Sequence, residues 1–344
     1  MAKLIVIHHP DGNYDVGGLV RFLIKVFNDD TYRKILSESY QLETITSRDI
    51  REKYNTTDEK FIEDIKTKTS FKEAILFGIH PYGFHTIISG ENNNSFKRIG
   101  WANDPHYFAY EKAKTAEAIK KYTDKIFPIR CLEKMDYLIT PSPIYFKNLN
   151  ITEYDAKLID LFYFLDPSKF SILQNLEYNT RKDQIILSGA LGGYTSRTMF
   201  DNLRKTSAPF GKIIYKLKHP GRINNAHMTE MNFYKKLSEF KGAFVGHHDF
   251  PINYLLAKHI EVLMCGCLGF FEPNPLLFSQ LGLIEGVHYI SCYNKGELIA
   301  DHNFYKKWMT STEGEAISKQ GQNYVMEFFG ERQILKLFAI LKTL

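Results

Sequence analysis

Phe244-Val245-Gly246-His247-His248, then Pro251, then residues 252–264, then Cys265-Gly266-Cys267-Leu268-Gly269-Phe270-Phe271: this stretch decides how the chain is read. Its first five residues have the pattern of a strand running out into a loop. Leu255, Leu256, Ile260, Leu263 and Met264 recur at the spacing of one helical face, so a helix with a buried side is predicted over 252–264. Lys258 and Glu261 stand three apart on it, share a face, and can reach one ligand together. The short apolar run that follows reads as a buried strand, closed by Pro273 and Pro275.

Upstream, a fresh strand is predicted from Gln184 to Ser188. It empties into Gly189-Ala190-Leu191-Gly192-Gly193-Tyr194-Thr195-Ser196-Arg197, with a helix running on through Leu203. A second strand, Lys212 to Leu217, ends in Lys218-His219-Pro220-Gly221-Arg222, and a helix covers Met228 to Phe240. Lys216 reads as solvated charge, whereas Lys218 and His219 are better placed to face a ligand. From Phe304 the pattern is helical to Leu344, broken at Gly330, where a helix can end or bend.

The first half opens with a β-branched apolar run, Lys3 to His8, that reads as a parallel strand. A loop holding Gly17-Gly18 follows, then an apolar-periodic helix from Leu19. Strand, glycine-bearing loop and helix open a doubly wound fold. The paired glycines either let backbone N–H groups approach a phosphate or sugar or form a plain tight turn. They are not the Gly-x-Gly-x-x-Gly of a dinucleotide fold, which argues against a dehydrogenase. Residues 30–69 are polar and poorly periodic, with a strand near Tyr40 to Ile45 and a helix from Thr57 to Lys66. Further strands are predicted at Ala74–Ile79, Lys97–Trp101 and Tyr137–Thr140, and a helix at Ala109–Tyr122. Asp166-Pro167-Ser168 is a turn signal within a hinge placed between Leu165 and Asn179.

At 344 residues the chain suits two domains, each able to bury a core. Hydrophobic residues at 44% and charged ones at 24% give a soluble globular composition rather than a disordered one. The formal charge of +5 is spread along the chain, which suits an anionic substrate better than a dedicated nucleic-acid surface. The four cysteines, Cys131, Cys265, Cys267 and Cys292, lack metal-site spacing and read as buried thiols in a reducing compartment. Nothing reaches the ~18 apolar residues of a membrane helix, and Leu4-Ile5-Val6-Ile7 is too short for a signal peptide. A soluble, cytoplasmic protein is expected.

A helix bearing Lys258 and Glu261, then Cys265-Gly266-Cys267-Leu268 and a strand, then Leu281-Gly282-Leu283 and Glu285-Gly286-Val287-His288-Tyr289-Ile290, resembles the nucleotide-sugar half of GT-B glycosyltransferases of the "glycosyl transferases group 1" type. The resemblance implies an α/β architecture of two Rossmann-like domains with a cleft between them, and a C-terminal helix crossing back to the first. The expected boundaries are 1–167 for an acceptor-binding domain, 168–329 for the nucleotide-sugar domain and 330–344 for the returning helix. It also implies transfer of a sugar from a UDP- or GDP-linked donor to a glycan hydroxyl, with no cofactor and no metal; the absence of an Asp-x-Asp motif agrees.

Within that resemblance Glu261 would accept the ribose hydroxyls and Lys258 would face the phosphates. Tyr194 and Arg197 would lie near the donor diphosphate, Arg being suited to bidentate phosphate contact. Gly17, Gly18, Lys218, His219 and His248 complete the donor candidates. Related families with two glutamates eight apart would want the first at Asn253, a departure that weakens any transfer of their retaining mechanism and leaves the stereochemistry open. Candidates for the catalytic base are Asp104 and His106, where Asp could orient His over Pro105, then His9 and Asp15, with His80 and His85 behind them. The rival readings are a nucleotide-sugar epimerase, a glucosyltransferase acting on modified DNA bases, and a catalytically silent binding module. Nucleic acid is the less expected partner.

Overall fold

Leu4, Ile5, Val6 and Ile7 are at most 1% exposed, as a strand covered on both faces requires. They form the centre of β1 (Ala2–His8) in the computed structural model. The structure describes residues 2–8, 24–46, 60, 74–79, 87, 96–102, 108–109, 127–141, 154, 157–166, 173, 176–217, 230–249 and 255–343. The chain divides into two units, Met1–Phe164 with Gln333–Leu344, and Leu165–Arg332.

In the first unit, residues 24–28 are helical and lead to α1 (Asp30–Ser37), whose N-cap Asp29 accepts a hydrogen bond from the Thr31 N–H. Then come β2 (Tyr40–Thr46), β3 (Ala74–Ile79), β4 (Phe96–Trp101), the short pair β5 (Phe108–Ala109) and β6 (Phe127–Pro128), β7 (Tyr137–Thr140) and β8 (Leu158–Asp160). The main sheet has the order β2-β1-β3-β4-β7-β8 and is parallel at every described pairing. One core joins Leu4, Val6, Phe27, Phe77, Trp101 and Phe164 to Ile334, Leu337, Phe338 and Leu341 of the chain's last helix, Glu331–Thr343. Phe338 lies 6.4 Å from Phe27 and 6.1 Å from Tyr32, ring centroid to ring centroid. The Tyr40 hydroxyl donates to the Leu341 carbonyl.

The second unit runs β9 (Lys182–Ser188), α2 (Thr195–Thr206), α3 (Ala208–Ile213), β10 (Ile214–Leu217), α4 (Glu230–Ser238), β11 (Phe240–Val245) and α5 (Ala257–Met264). It continues with β12 (Leu268–Phe271), α6 (Pro275–Leu281), β13 (Ile290–Ser291), the hairpin of β14 (Tyr293–Asn294) and β15 (Glu297–Leu298), α7 (His302–Thr310) and α8 (Thr312–Phe329). Its five-stranded sheet has the order β10-β9-β11-β12-β13, again parallel. The winding reverses between β9 and β11, so the crevice beyond their carboxyl ends is where such a sheet takes a ligand. Phe200 stacks on Phe244 at 4.2 Å within the core on the α2 side.

Several boundaries differ from the sequence expectation. The helix read over 252–264 starts at Ala257, because Leu255 and Leu256 are buried as extended chain and contribute apolar residues without contributing turns. The strand read from Lys212 starts at Ile214, since Lys212 and Ile213 close α3. Phe240, taken as a helix end, opens β11. The long C-terminal helical pattern is broken at Ser311 as well as at Gly330, with Ser311 capping α8 through its hydroxyl. Helix α1 falls in the stretch read as poorly periodic, although Tyr32, Ile35 and Leu36 form a short apolar face on it.

The turn after α5 is fixed by three side chains from elsewhere. Arg181 donates to the carbonyls of Cys265, at 2.9 Å, and Gly266. Ser318 donates to the Gly266 carbonyl at 2.8 Å, and Gln322 to that of Met264 at 2.8 Å. The open carbonyls of the helix end are thereby satisfied without water, and Gly266 takes the left-handed conformation (φ +66°) that the reversal needs. That clamp sets the axial position of α5, and with it Lys258 and Glu261. Cys265, Cys267 and Cys292 are buried free thiols, and burial pushes Cys267 up to about 12. No described helix is long and apolar enough to cross a membrane.

Candidate functional site

The site is built at the carboxyl ends of β9 and β11. After Ser188 the chain turns at Gly189 (φ +98°) and again at Gly193 (φ +74°), conformations that strain any L side chain, before α2 begins at Thr195. No residue of the loop caps that helix. Asp249, arriving from the end of β11, does so instead: its carboxylate accepts from the Thr195 N–H at 2.7 Å and from the Thr195 hydroxyl at 3.0 Å. The Asp249 N–H in turn donates to the Gly193 carbonyl at 2.9 Å.

Glu272, just past β12, ties the same corner together. One of its carboxylate oxygens accepts from the Ser196 hydroxyl at 2.7 Å and from the His247 N–H at 2.6 Å. The His247 ring Nε2 meets the Glu272 carbonyl at 2.8 Å. The crossing is so close that a Cβ on Gly246 would lie 1.9 Å from the Ser196 Oγ. Three strand ends are therefore locked around the first turn of α2.

Arg197 projects from that turn and is only 2% exposed. Its guanidinium lies 3.8 Å over the Tyr194 ring, whose other neighbour is His248, edge-on at 4.7 Å. A guanidinium packed on an aromatic face is restrained there and still offers N–H donors to an anionic partner. Lys258 approaches the same loop from α5: a Cβ on Gly189 would sit 2.9 Å from Lys258 Cε and 3.1 Å from Arg197 Nη1. Burial lowers the Lys258 pKa, Glu261 opposes that shift, and the charge on Arg197 adds to it. Glu261, 6% exposed, receives the Tyr234 hydroxyl at 3.5 Å.

Lys216 is not the solvated charge its sequence context suggested. Half-buried in β10, it donates to the Gly189 carbonyl at 3.1 Å, and its pKa falls to about 8. Burial is the largest cause; Asp201 opposes it, while Arg197, Arg204 and Lys205 add to it. Behind the loop, His247 and His259 stand 5.1 Å apart, both held below the ordinary histidine range, mainly by burial.

Of the residues singled out from sequence, Tyr194, Arg197, His248, Lys258 and Glu261 come together here. Lys218, His219, Arg222, Asn253, Gly17, Gly18, His9, Asp15, His80, His85, Asp104 and His106 lie outside the described residues. Sequence reading placed Asp249 in the loop expected to meet the base and missed both its capping role and Glu272, because a cap supplied from 54 residues downstream leaves no local signature. It also missed Tyr234, a core-facing aromatic on α4. Among the described residues no group of three His, Cys, Asp or Glu is arranged to hold a metal ion. Chemically, a buried and a half-buried cation beside a turned backbone suit an anionic oxygen cluster, and a carboxylate next to them suits vicinal hydroxyls.

No protein-family model and no curated protein matches the chain. Solved structures do. An α-glucosyltransferase in complex with UDP and a 13-mer DNA containing an HMU base is 8% identical, with a TM-score of 0.62 and 100% of both chains covered. Anabaena HepE in complex with UDP and glucose is 10% identical, with a TM-score of 0.58 over 100% of both chains. A glycosyltransferase from Rickettsia africae is 13% identical, with a TM-score of 0.58 over 99% of this chain and 98% of its own. With two parallel α/β units and a second sheet that reverses at β9 and β11, this chain has the fold of the GT-B glycosyltransferases.

Proposed function

We propose that the chain is a glycosyltransferase that moves a sugar from a nucleoside diphosphate sugar, with UDP or GDP as the leaving group, to a hydroxyl of a glycan acceptor. One observation carries the reading. Arg197 and Lys258 converge on the left-handed Gly189 at the switch point of the second sheet, with Glu261 beside them. When the sugar C1–O bond to the diphosphate breaks, negative charge gathers on the leaving phosphate. Preorganised cations in a dry site stabilise it as it forms. Glu261 accepts the ribose hydroxyls, and Tyr194 restrains Arg197.

The acceptor oxygen forms the new bond to C1 and loses its proton to a base, for which Asp104, His106, His9 and Asp15 in residues 1–167 are the candidates. The N-terminus of α2 already carries the Asp249 carboxylate, so leaving-group charge falls to side chains rather than to that helix end. The reading expects turnover to survive EDTA. It also places the enzyme in the cytoplasm, in keeping with free buried thiols.

Calorimetry with UDP and GDP tests the donor site. Wild type should bind one of them, and Glu261→Gln should bind it about tenfold more weakly with the fold retained. Equal affinity of the variant for every nucleotide that wild type binds would overturn the assignment. Mass spectrometry of donor sugars incubated with glycans then tests the reaction: transfer supports it, interconversion of donor alone identifies an epimerase, and neither identifies a binding module. A second acceptor reading, a modified DNA base, is favoured by the DNA held in the α-glucosyltransferase complexes, one of them containing an HMU base. Duplex carrying that base belongs in the same assay.

A further inference from the structure

This inference rests on the donor-site reading above and deepens it. We propose that Lys216 is a third cation of that site, a diphosphate-binding residue that works only as an ammonium and that also fixes the carbonyl of Gly189. Lys216 reaches the Gly189 loop from β10, on the far side of β9 from β11, while Arg197 comes from α2 and Lys258 from α5. Three cations from three different elements thus converge on one short turn of backbone, Lys216 and Arg197 through its carbonyls and Lys258 by its approach to Gly189.

The charge around Lys216 is lopsided. Facing it from α2 are Arg197, Arg204 and Lys205, all cationic, and a single carboxylate, Asp201. That carboxylate is divided between Arg204, at 2.9 Å, and Lys205, at 2.7 Å. From the loop after β9 the Lys216 ammonium meets only the Gly189 carbonyl, and Lys258 of α5 stands across that glycine. Burying an ammonium among like charges is costly unless something anionic arrives to compensate. A protein scaffold that merely needed to hold a carbonyl could do so with a neutral donor. An ammonium has three donors, and the Gly189 carbonyl takes one of them.

The lowered pKa of about 8 turns this placement into a measurable behaviour. A bound diphosphate favours the ammonium, so its pKa in the complex lies above that of the free protein. Below about pH 8 the free protein already carries the proton and affinity is at its full value. As pH rises past that value, binding must take up a proton and affinity falls.

The experiment is calorimetry of UDP and GDP from about pH 7 to about pH 9.5 on wild type, Lys216→Arg and Lys216→Met, with thermal unfolding of each as a check on folding. Arginine stays charged throughout and shares every other titration of protein and nucleotide, so its difference from wild type isolates the ammonium. Wild type should lose affinity past pH 8 relative to Lys216→Arg, and Lys216→Met should bind about tenfold more weakly at pH 7 with that difference gone. Lys216→Met binding as wild type across the range would overturn the proposal. So would parallel pH profiles for wild type and Lys216→Arg, since no proton would then be taken up at Lys216 on binding. Wild type that binds neither nucleotide at any pH would overturn the donor-site reading and this inference with it.

Discussion

Asp249 and Thr195, from different strand ends, form a helix cap in trans: both the N–H and the hydroxyl of Thr195 are held by one carboxylate, at 2.7 and 3.0 Å. The residue two positions on from Thr195 is Arg197, so the cap sets the direction in which the guanidinium emerges. Asp249→Ala should cost about 1 kcal/mol of stability, the usual penalty for a lost cap. It should also weaken nucleotide binding, although Asp249 is not assigned a ligand contact. Denaturation and calorimetry on the same sample measure the two; full affinity in a destabilised variant would show that Arg197 is positioned independently of the cap.

Gly189→Ala tests the loop itself. The substitution forces an L residue to φ +98° and sets a methyl 2.9 Å from Lys258 Cε. Strain of this kind costs on the order of 1–3 kcal/mol, and the neighbour that must yield is a proposed phosphate ligand. Nucleotide affinity is expected to fall tenfold or more, out of proportion to any change in folding. Affinity that tracks stability alone would remove Gly189 from the site.

The pH dependence of folding should carry the mark of His259. Burial, then the charges of His247 and Arg197, depress its pKa well below the ordinary 6.5, against a weaker opposing bond to the Leu256 carbonyl. Below about pH 6.5 the unfolded chain accepts a proton that the folded ring refuses, so stability declines from there down to the folded pKa. His259→Phe, packed against Phe271 and Phe278, removes that proton from the balance. Urea melts from about pH 7 to about pH 5 should show a shallower loss in the variant, and identical slopes would refute the assignment.

Phe338→Ala addresses the last helix. Phe338 is 2% exposed in the core of the first unit, against Phe27 and Tyr32. Removal of a buried phenyl ring costs about 3–5 kcal/mol, and the loss should appear in a transition of the first unit, not of the second. Hydrogen exchange resolved by segment would show protection falling across residues 2–8 and 74–79. Loss confined to residues above 180 would contradict this packing.

What sequence could reveal follows from how each part signals. Strands covered on both faces announce themselves as apolar runs, so β1, β3 and β7 were legible to within a residue. Helix α1 has only a short stripe, Tyr32, Ile35 and Leu36, set in a polar stretch, and it passed unread. Leu255 and Leu256 misled because buried extended chain and buried helix look alike over a few residues. At the site, Arg197, Lys258 and Glu261 were legible because each sits next to a glycine turn or a recognisable helix. Asp249, Glu272 and Lys216 were not. Their roles exist only once β9, β10, β11 and β12 lie side by side, and nothing local to Lys216 distinguishes a half-buried ammonium from a surface one.

The first unit is discontinuous, closing its core with side chains that follow the whole of the second unit in the chain. Synthesis runs in one direction, so Leu4, Val6, Phe27 and Phe77 leave the ribosome long before Ile334, Leu337 and Phe338 exist to cover them. At ordinary elongation rates the intervening residues take on the order of ten to fifty seconds to make. The second unit, contiguous, completes itself during that wait. The first unit to begin synthesis is therefore the last whose core can be completed.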